Sequence, residues 1–292
     1  WQDGKSEGLS ILHSLVIRSV NEMLVELCGK AAIKRESISK ITAVGNTTMQ
    51  HLLLNVSPAS LGAIPFKPAV KNSVSARAKE KGIGIHPDGT LYVFPNIAGF
   101  VGGDTVAVIL AAEAHKSSKM NLIIDIGTNG EIVIGNKNRL IAASTAAGPA
   151  FEGARISRGM RAAAGAIEKV SITDSVKIRI IGNMPPVGIC GTGLIDAAAQ
   201  MLARGIVDDS GKILSREELA KILPKNLLKR IISENNQNNF MLAGEDSTVD
   251  RKPLYVTQKD IRELQVGKAA IAAGIKLLER RLGITAGEID GV

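Results

Sequence analysis

Cysteine is nearly absent: Cys28 and Cys190 are the whole supply, and they lie far apart in the chain. An iron–sulfur cluster of the [2Fe–2S] or [4Fe–4S] type normally takes four thiolates, so this chain by itself cannot hold one. Two distant thiols do not make a disulfide scaffold either. Both are expected to sit reduced in a core, which points to the cytoplasm. Aromatics are scarce at 3% of residues, so the core must be built mainly from Ala, Ile, Leu and Val. No segment suits a bilayer: the most apolar stretch, residues 100–114, is too short and carries Asp104 and Glu113. No signal peptide is visible. Aromatics do not interleave with the basic residues, so a nucleic-acid partner has little support despite a formal charge of +8. Most of that charge reads as solvated surface, with an acidic partner or polyanionic ligand left open.

What is present describes a folding chain. Apolar residues make up 45% and charged residues 22%, which suits a globular α/β protein rather than a disordered one. The 292 residues are enough for about two compact units. The chain starts at Trp1 and stops at "EIDGV", which reads like the opening of a strand, so a fragment of a longer protein is expected.

Strand and helix signals alternate. Residues 9–30 read as a helix with Gly29 as its stop. "ISKITAVGNTTMQHLLL" reads as a strand, a Gly45-Asn46 turn and a helix capped by Thr47 or Thr48. Residues 56–92 look like a loop-rich excursion closed by the strand "TLYVFP". Asp104 caps a helix ending near His115. "LIAAS" is a strand, "TAAGPAFEGARISRGM" a turn opening into a helix, "VKIRIIGN" a strand, and "GICGTGLIDAAAQMLARG" a Gly-rich turn feeding a helix. Residues 206–256 look polar and irregular, with short helical pieces near 217–222 and 227–232. A long helix follows Thr257 as N-cap, with a break expected around Gly267. There is no repeat of fixed period.

The chemistry concentrates at "NLIIDIGTNGEIVIG", residues 121–135. One reading is a plain hairpin with a tight type I′ reversal at Asn129-Gly130. The other is a phosphate cradle. A strand ending on Asp125 sets a carboxylate at the edge where α/β folds bind ligands. Gly127, Asn129 and Gly130 would let backbone N–H groups approach an anion, and Thr128 adds a hydroxyl. Asp125 could hold Mg²⁺ through water, because Mg²⁺ takes one or two carboxylates plus phosphate oxygens. The P-loop pattern is absent and a strand, not a helix, follows the turn, so this is not a Walker site. A GxGxxG fingerprint is absent as well.

"IIDIGTNGEIVI" resembles the second phosphate motif of the acetate and sugar kinase, heat-shock chaperone and actin superfamily. A closer resemblance is to the ATPase domain of the reductive activators of corrinoid proteins. It is carried in order by "VGNTTMQHLLLNVSPASLGAIPFKP", "FPNIAGFVGGDTVAVILA", "DIGTNGEIVIG", "AAGPAFEGARISRGM", "ICGTGLIDAAAQML" and "TQKDIRELQVGKAAIAAGI". The resemblance implies a two-lobed, ribonuclease-H-like (actin-like ATPase) fold with the first lobe incomplete. Residues 1–103 would be a partial first lobe, 104–119 the inter-lobe crossing helix and 120–292 a second lobe without its final adenosine-binding part. The family's first phosphate motif, its adenosine-contacting Gly-Gly turn and its iron–sulfur domain are not in this sequence, and without the first two, weak or undetectable ATP binding and negligible hydrolysis are expected of these residues alone.

The resemblance implies ATP and Mg²⁺ as cofactors, and a corrinoid protein and an electron-donating iron–sulfur domain as partners. A homodimer stays open. The implied activity is ATP-driven return of a Co(II) corrinoid protein to Co(I). It places Asp125 and Asp104 in catalysis, although Asp104 could be only a helix cap. Gly45, Asn46 and Thr47 could contact nucleotide or merely start a helix. The same holds for Gly148, Glu152 and Gly153, while Gly191 and Gly193 could serve phosphate contact or close packing. The histidines, at 13, 51, 86 and 115, have no metal-ligand spacing and fit surface or core positions. Two alternatives remain: a small-molecule kinase of the same superfamily, and a docking or dimerisation module with a vestigial nucleotide site.

Overall fold

The computed structural model describes residues 6–292. Its chain divides into two units, one of Trp1–Ile123, Val133–Ser144 and Thr285–Val292, the other of Ile124–Ile132 and Thr145–Ile284.

The first unit opens with α1 (Ser6–Ala31), which buries Ile17 and Cys28 on one face. The helix runs past Gly29 and stops only where Ala32 turns left-handed at φ 53°. Gly29 is thus an ordinary helical position. Next come β1 (Lys40–Ala43) and α2 (Thr47–Leu54). The cap of α2 is Asn46, one residue earlier than expected, and its Oδ1 accepts the Met49 N–H at 2.9 Å. Thr47 turns inward instead and is buried.

The excursion at 56–92 contains more than loop. It supplies β2 (Val74–Arg77) and ends in β3 (Thr90–Val93), which lies between a parallel β1 and an antiparallel β2. Leu53, Leu54, Ile83, Leu91 and Val93 form the core with Ile17 of α1. The helix α3 (Gly103–Ala111) starts one residue before Asp104 and ends short of His115.

β4 (Asn121–Ile126), β5 (Gly130–Asn136) and β6 (Arg139–Thr145) form a sheet in that order. The reversal between β4 and β5 is not the expected type I′ turn, since neither Asn129 nor Gly130 has a positive φ. Gly130 already belongs to β5, where the Thr145 hydroxyl donates to its carbonyl at 3.1 Å. The chain therefore reverses over Gly127–Asn129, closed by Gly127 N–H to Asn129 O at 3.0 Å.

In the second unit, only a single helical turn, Pro149–Glu152, forms where a helix was expected. Gly148, Gly153, Arg155 and Arg158 all take positive φ, which an α-helix does not accommodate. β7 (Ala166–Ile172) follows, paired with antiparallel β8 (Val176–Ile180) and parallel β9 (Gly188–Ile189). Then come α4 (Gly191–Ala203) and two short helices, α5 (Arg216–Leu219) and α6 (Lys225–Leu228).

The stretch read as irregular instead builds a sheet, β10 (Ile231–Glu234), β11 (Gln237–Ala243) and β12 (Leu254–Val256), in that order. Asn235 and Asn236, at φ 50° and 59°, form its tight turn. The last helix, α7 (Gln258–Leu282), is capped by Thr257, as its sequence implied. It does not break at Gly267. There a Cβ would come within 2.6 Å of the Phe151 ring, so the glycine permits close packing rather than a kink. Ile167, Leu194, Met201, Leu219, Leu227 and Phe240 anchor the core of this unit. No described helix is long and apolar enough to cross a membrane.

Candidate nucleotide site

In the second unit the strand β4 carries Asp125 one residue before its end. Its carboxylate is half-buried and has no hydrogen-bond or ionic partner among the described residues. A carboxylate left without a protein partner is available to a cation. The turn beyond it is braced from two sides. The Thr128 hydroxyl donates to Glu152 Oε2, and the Gly148 N–H donates to the Thr128 carbonyl at 2.8 Å. Thr128, Asn129 and Glu152 are exposed. Asp125, Gly127, Thr128, Asn129, Gly148 and Glu152 are thus brought to one place.

The remaining glycines separate by what a side chain would meet. At Gly148, with φ 81°, a Cβ would enter open space, so backbone conformation is the constraint. At Gly130 a Cβ would lie 2.9 Å from both Ile271 and Thr145. Gly153 has a Cβ position only 2.6 Å from the Met160 nitrogen. Gly191 is closed more tightly, with 1.8 Å to the Phe151 carbonyl, and Gly193 stands 2.1 Å from the Ile167 carbonyl. These four are needed for packing whether or not a ligand binds.

Gly191 also borders a cleft of about 390 Å³ with Glu152, Arg161, Cys190 and Thr192. Residue type and spacing alone do not single out Arg161, Cys190 or Thr192 as site residues. Arg161 is an exposed cation inside "SRGMRA", and Cys190 sits at the cap of α4. Its thiol donates to the Ile167 carbonyl at 3.3 Å and lies 3.3 Å from the Thr192 hydroxyl. Cleft-facing cations next to a helix start suit an anion, but periodicity gives no hint of Arg161.

In the first unit a second cluster forms around the Gly45 carbonyl. It accepts the Asp104 N–H at 3.2 Å and the Gln50 side-chain amide, also at 3.2 Å. Gly102 makes this approach feasible, since a Cβ there would stand 2.7 Å from Asn46 Cα. Asp104 is half-buried and follows the cap residue Gly102. Its Oδ1 accepts the Thr105 N–H at 2.8 Å, and Oδ2 has no partner among the described residues. So Gly45, Asn46, Thr47 and Asp104 do meet. Gln50, which joins them, carried no sequence signal beyond its place in a helix. Thr105 Oγ1 and Asn96 Oδ1 are buried without partners.

Among the described residues no three His, Cys, Asp or Glu side chains cluster to hold a metal. The donor set therefore fits Mg²⁺ better than a cation that needs a full protein cage. Mg²⁺ is held by one or two carboxylates, with waters and phosphate oxygens completing its shell. His51 is wholly buried, with Nδ1 on the Thr47 carbonyl and Nε2 accepting the Ala69 N–H, so it braces the Gly45 cluster from within the core.

Residues 119–292 match the family model described as the C-terminal domain of RACo, the ASKHA domain, and residues 2–117 match the RACo middle region. The chain belongs to the RACo family. Its fold is the ASKHA, or actin-like ATPase, fold. Among solved structures, a reductive activator for corrinoid, iron–sulfur protein is similar with a TM-score of 0.83 and 38% identity, over 99% of this chain and 45% of that one. The corrinoid activation enzyme RamQ of Eubacterium limosum is 37% identical over 99% of this chain and 49% of its own length. The [Co(II) methylated amine-specific corrinoid protein] reductase of Methanosarcina barkeri is 25% identical over 70% of this chain and 43% of its own. This RACo-family chain thus spans about half the length of the curated relatives it matches.

Proposed function

We propose that this chain is the ATPase portion of a reductive activator that returns a corrinoid protein from Co(II) to Co(I). Residues 1–103 are assigned to a first lobe, 104–119 to the crossing segment and 120–292 to the second lobe. The observation that carries the reading is the unpartnered carboxylate of Asp125 beside a turn of exposed backbone and a hydroxyl. The names of three relatives supply the corrinoid substrate.

In this reading Asp125 would hold Mg²⁺, and Asp104, whose Oδ2 has no partner among the described residues, is a catalytic carboxylate of the first unit. Bound Mg²⁺ neutralises charge on the phosphate oxygens. The Thr128 hydroxyl and the backbone N–H groups of Thr128 and Asn129 would supply donors to those oxygens, while Gly127, whose N–H closes the turn on Asn129 O, shapes it. Gly45–Thr47 in the first unit, and Gly148–Gly153 with Gly191 and Gly193 in the second, are each assigned to nucleotide contact. Cobalt gains one electron, delivered from an iron–sulfur centre outside this chain, while ATP and water give ADP and phosphate. Nucleotide can move the grip on the corrinoid protein only by its differential affinity for two conformations.

The test is ATP-dependent formation of Co(I), followed by absorbance with a low-potential reductant, with ATP hydrolysis measured alongside. In the longer protein to which these residues are expected to belong, both should require the corrinoid protein and Asp125. Phosphoryl transfer to an added small molecule would establish the kinase alternative. Corrinoid-protein binding indifferent to nucleotide would leave only the docking alternative.

A further inference from the structure

Loop 63–71 and the turn at 97–101 display apolar side chains that the first unit's core does not use. Ile64 is 84% exposed, Phe100 50% and Phe66 38%. The two rings lie 5.3 Å apart at 55°, the tilted contact that aromatic pairs favour. Phe66 holds φ 58°, which is uncommon for a bulky residue and persists only where surroundings enforce it. They do so here. Phe66 N–H donates to Ala63 O at 2.7 Å, and a Cβ on Gly99 would stand 2.0 Å from the Phe66 carbonyl. Strain is thus spent on presenting a ring to solvent. Lys67 and Lys71 belong to the same loop and are exposed, without an ion pair among the described residues.

We propose that Ile64, Phe66 and Phe100, margined by Lys67 and Lys71, form the surface on which this chain docks a protein partner bearing an apolar patch with an acidic margin. On the function proposed above, on which this rests, that partner is the corrinoid protein. An apolar centre with a charged rim is the usual build of such interfaces. The chain's net charge of +8 favours an acidic partner.

The position of the surface supports the assignment. Both segments hang from Thr47, in the turn that carries Gly45 and Asn46. The Thr47 hydroxyl donates to Ala98 O at 3.0 Å, fixing the Phe100 turn. Its carbonyl accepts from His51 Nδ1 at 2.7 Å, and His51 Nε2 accepts the Ala69 and Val70 N–H groups at 3.0 and 3.3 Å. Asn96 closes the frame, donating through Nδ2 to Val70 O at 3.0 Å and through its N–H to Lys71 O at 2.8 Å. The docking surface and the candidate nucleotide turn are one hydrogen-bonded body.

The experiment is calorimetric titration of the protein with two corrinoid proteins in the Co(II) state, the methylated-amine-specific type and the corrinoid iron–sulfur type. Wild type should bind at least one. Phe100→Asp and Ile64→Asp should each weaken binding at least tenfold while leaving the circular dichroism spectrum and the thermal midpoint unchanged. Ile64→Asp keeps the test valid should Phe100→Asp unfold the loop, because Ile64 touches so little. Lys67→Glu with Lys71→Glu should slow association and flatten its salt dependence. Wild-type binding that survives the Ile64 and Phe100 changes overturns the surface and leaves the function reading standing. Failure of wild type to bind either corrinoid protein overturns both.

Discussion

The Thr128 hydroxyl donates to Glu152 Oε2, tying the turn after β4 to the single helical turn that follows Gly148. Both residues are exposed, so the bond contributes little to stability, about 1 kcal/mol or less. Thr128→Val should therefore leave the urea midpoint almost unmoved. The same change removes a donor from the proposed phosphate turn, and Mg-nucleotide affinity should fall roughly tenfold. Paired denaturation and calorimetric titration would separate the two effects. A large stability loss with unchanged nucleotide affinity would make Thr128 a purely structural tie.

Asp125→Asn is nearly isosteric at a strand end where the carboxylate has no protein partner. The fold should be retained, with a thermal midpoint at or above that of wild type. In the longer protein to which these residues are expected to belong, corrinoid-stimulated ATP turnover should drop by roughly 100-fold, the scale of losing one charged element of a preorganised site. Unchanged turnover at saturating Mg²⁺ would return the segment to a plain reversal.

Gly29 and Gly267 should respond to alanine with opposite signs. Gly29 lies within α1 with nothing inside 4 Å of a Cβ, so Gly29→Ala should stabilise by roughly 0.5–1 kcal/mol. At Gly267 the Cβ would press on the Phe151 ring at 2.6 Å and the Ala147 carbonyl at 3.1 Å. Overpacking there should cost about 1–3 kcal/mol despite the better helix propensity. Chemical denaturation of the two variants checks the contrast, and equal signs would mean the loop at 147–151 yields freely.

Asp260 lies buried beneath the start of α7. Its carboxylate accepts Ser157 N–H at 2.7 Å and Thr257 N–H at 2.8 Å. Burial raises its pKa above the ordinary 3.8, while those backbone donors pull the other way. The folded state thus holds this proton more tightly than the unfolded chain does. That contribution is full below the unfolded pKa and is lost as pH rises through the folded one. Asp260→Asn should remove this downward slope in stability, at the cost of one backbone hydrogen bond. Urea midpoints over the acid range would detect it. An identical slope in the variant would assign the titration elsewhere.

Periodicity made some of this fold plain and hid the rest for identifiable reasons. β4, β5 and β6 are apolar runs bounded by glycine and polar turns, and α7 has a capping box at Thr257 and a sustained helical stripe. By contrast β10 and β11 flank "SENNQNN", whose polarity masks strands that bury only alternate residues such as Phe240. The Asn235-Asn236 pair was a turn signal in plain view. Around residues 148–158 the Gly, Pro and polar pattern fits a helix start, yet four positive φ angles forbid one. The candidate site divides similarly. Asp125, Thr128 and Glu152 could be named from residue type and spacing. Arg161 enters by sharing a cleft with residues 190–192, to which a linear pattern is blind, and Gln50 by a side-chain bond to Gly45 O that its residue type does not announce.

The closeness of backbone to Gly191 and Gly193 bears on how this family's history can be read. A methyl group at either position would collide with a main-chain carbonyl, at 1.8 and 2.1 Å, so selection for folding alone holds both glycines in place. A descendant that had abandoned nucleotide would still carry them. Asp125 is under no such restraint, because nothing in the fold leans on its carboxylate. On the proposed function it is the residue free to drift once nucleotide no longer matters, and its identity across lineages would then mark where ATP use was kept and where it was given up.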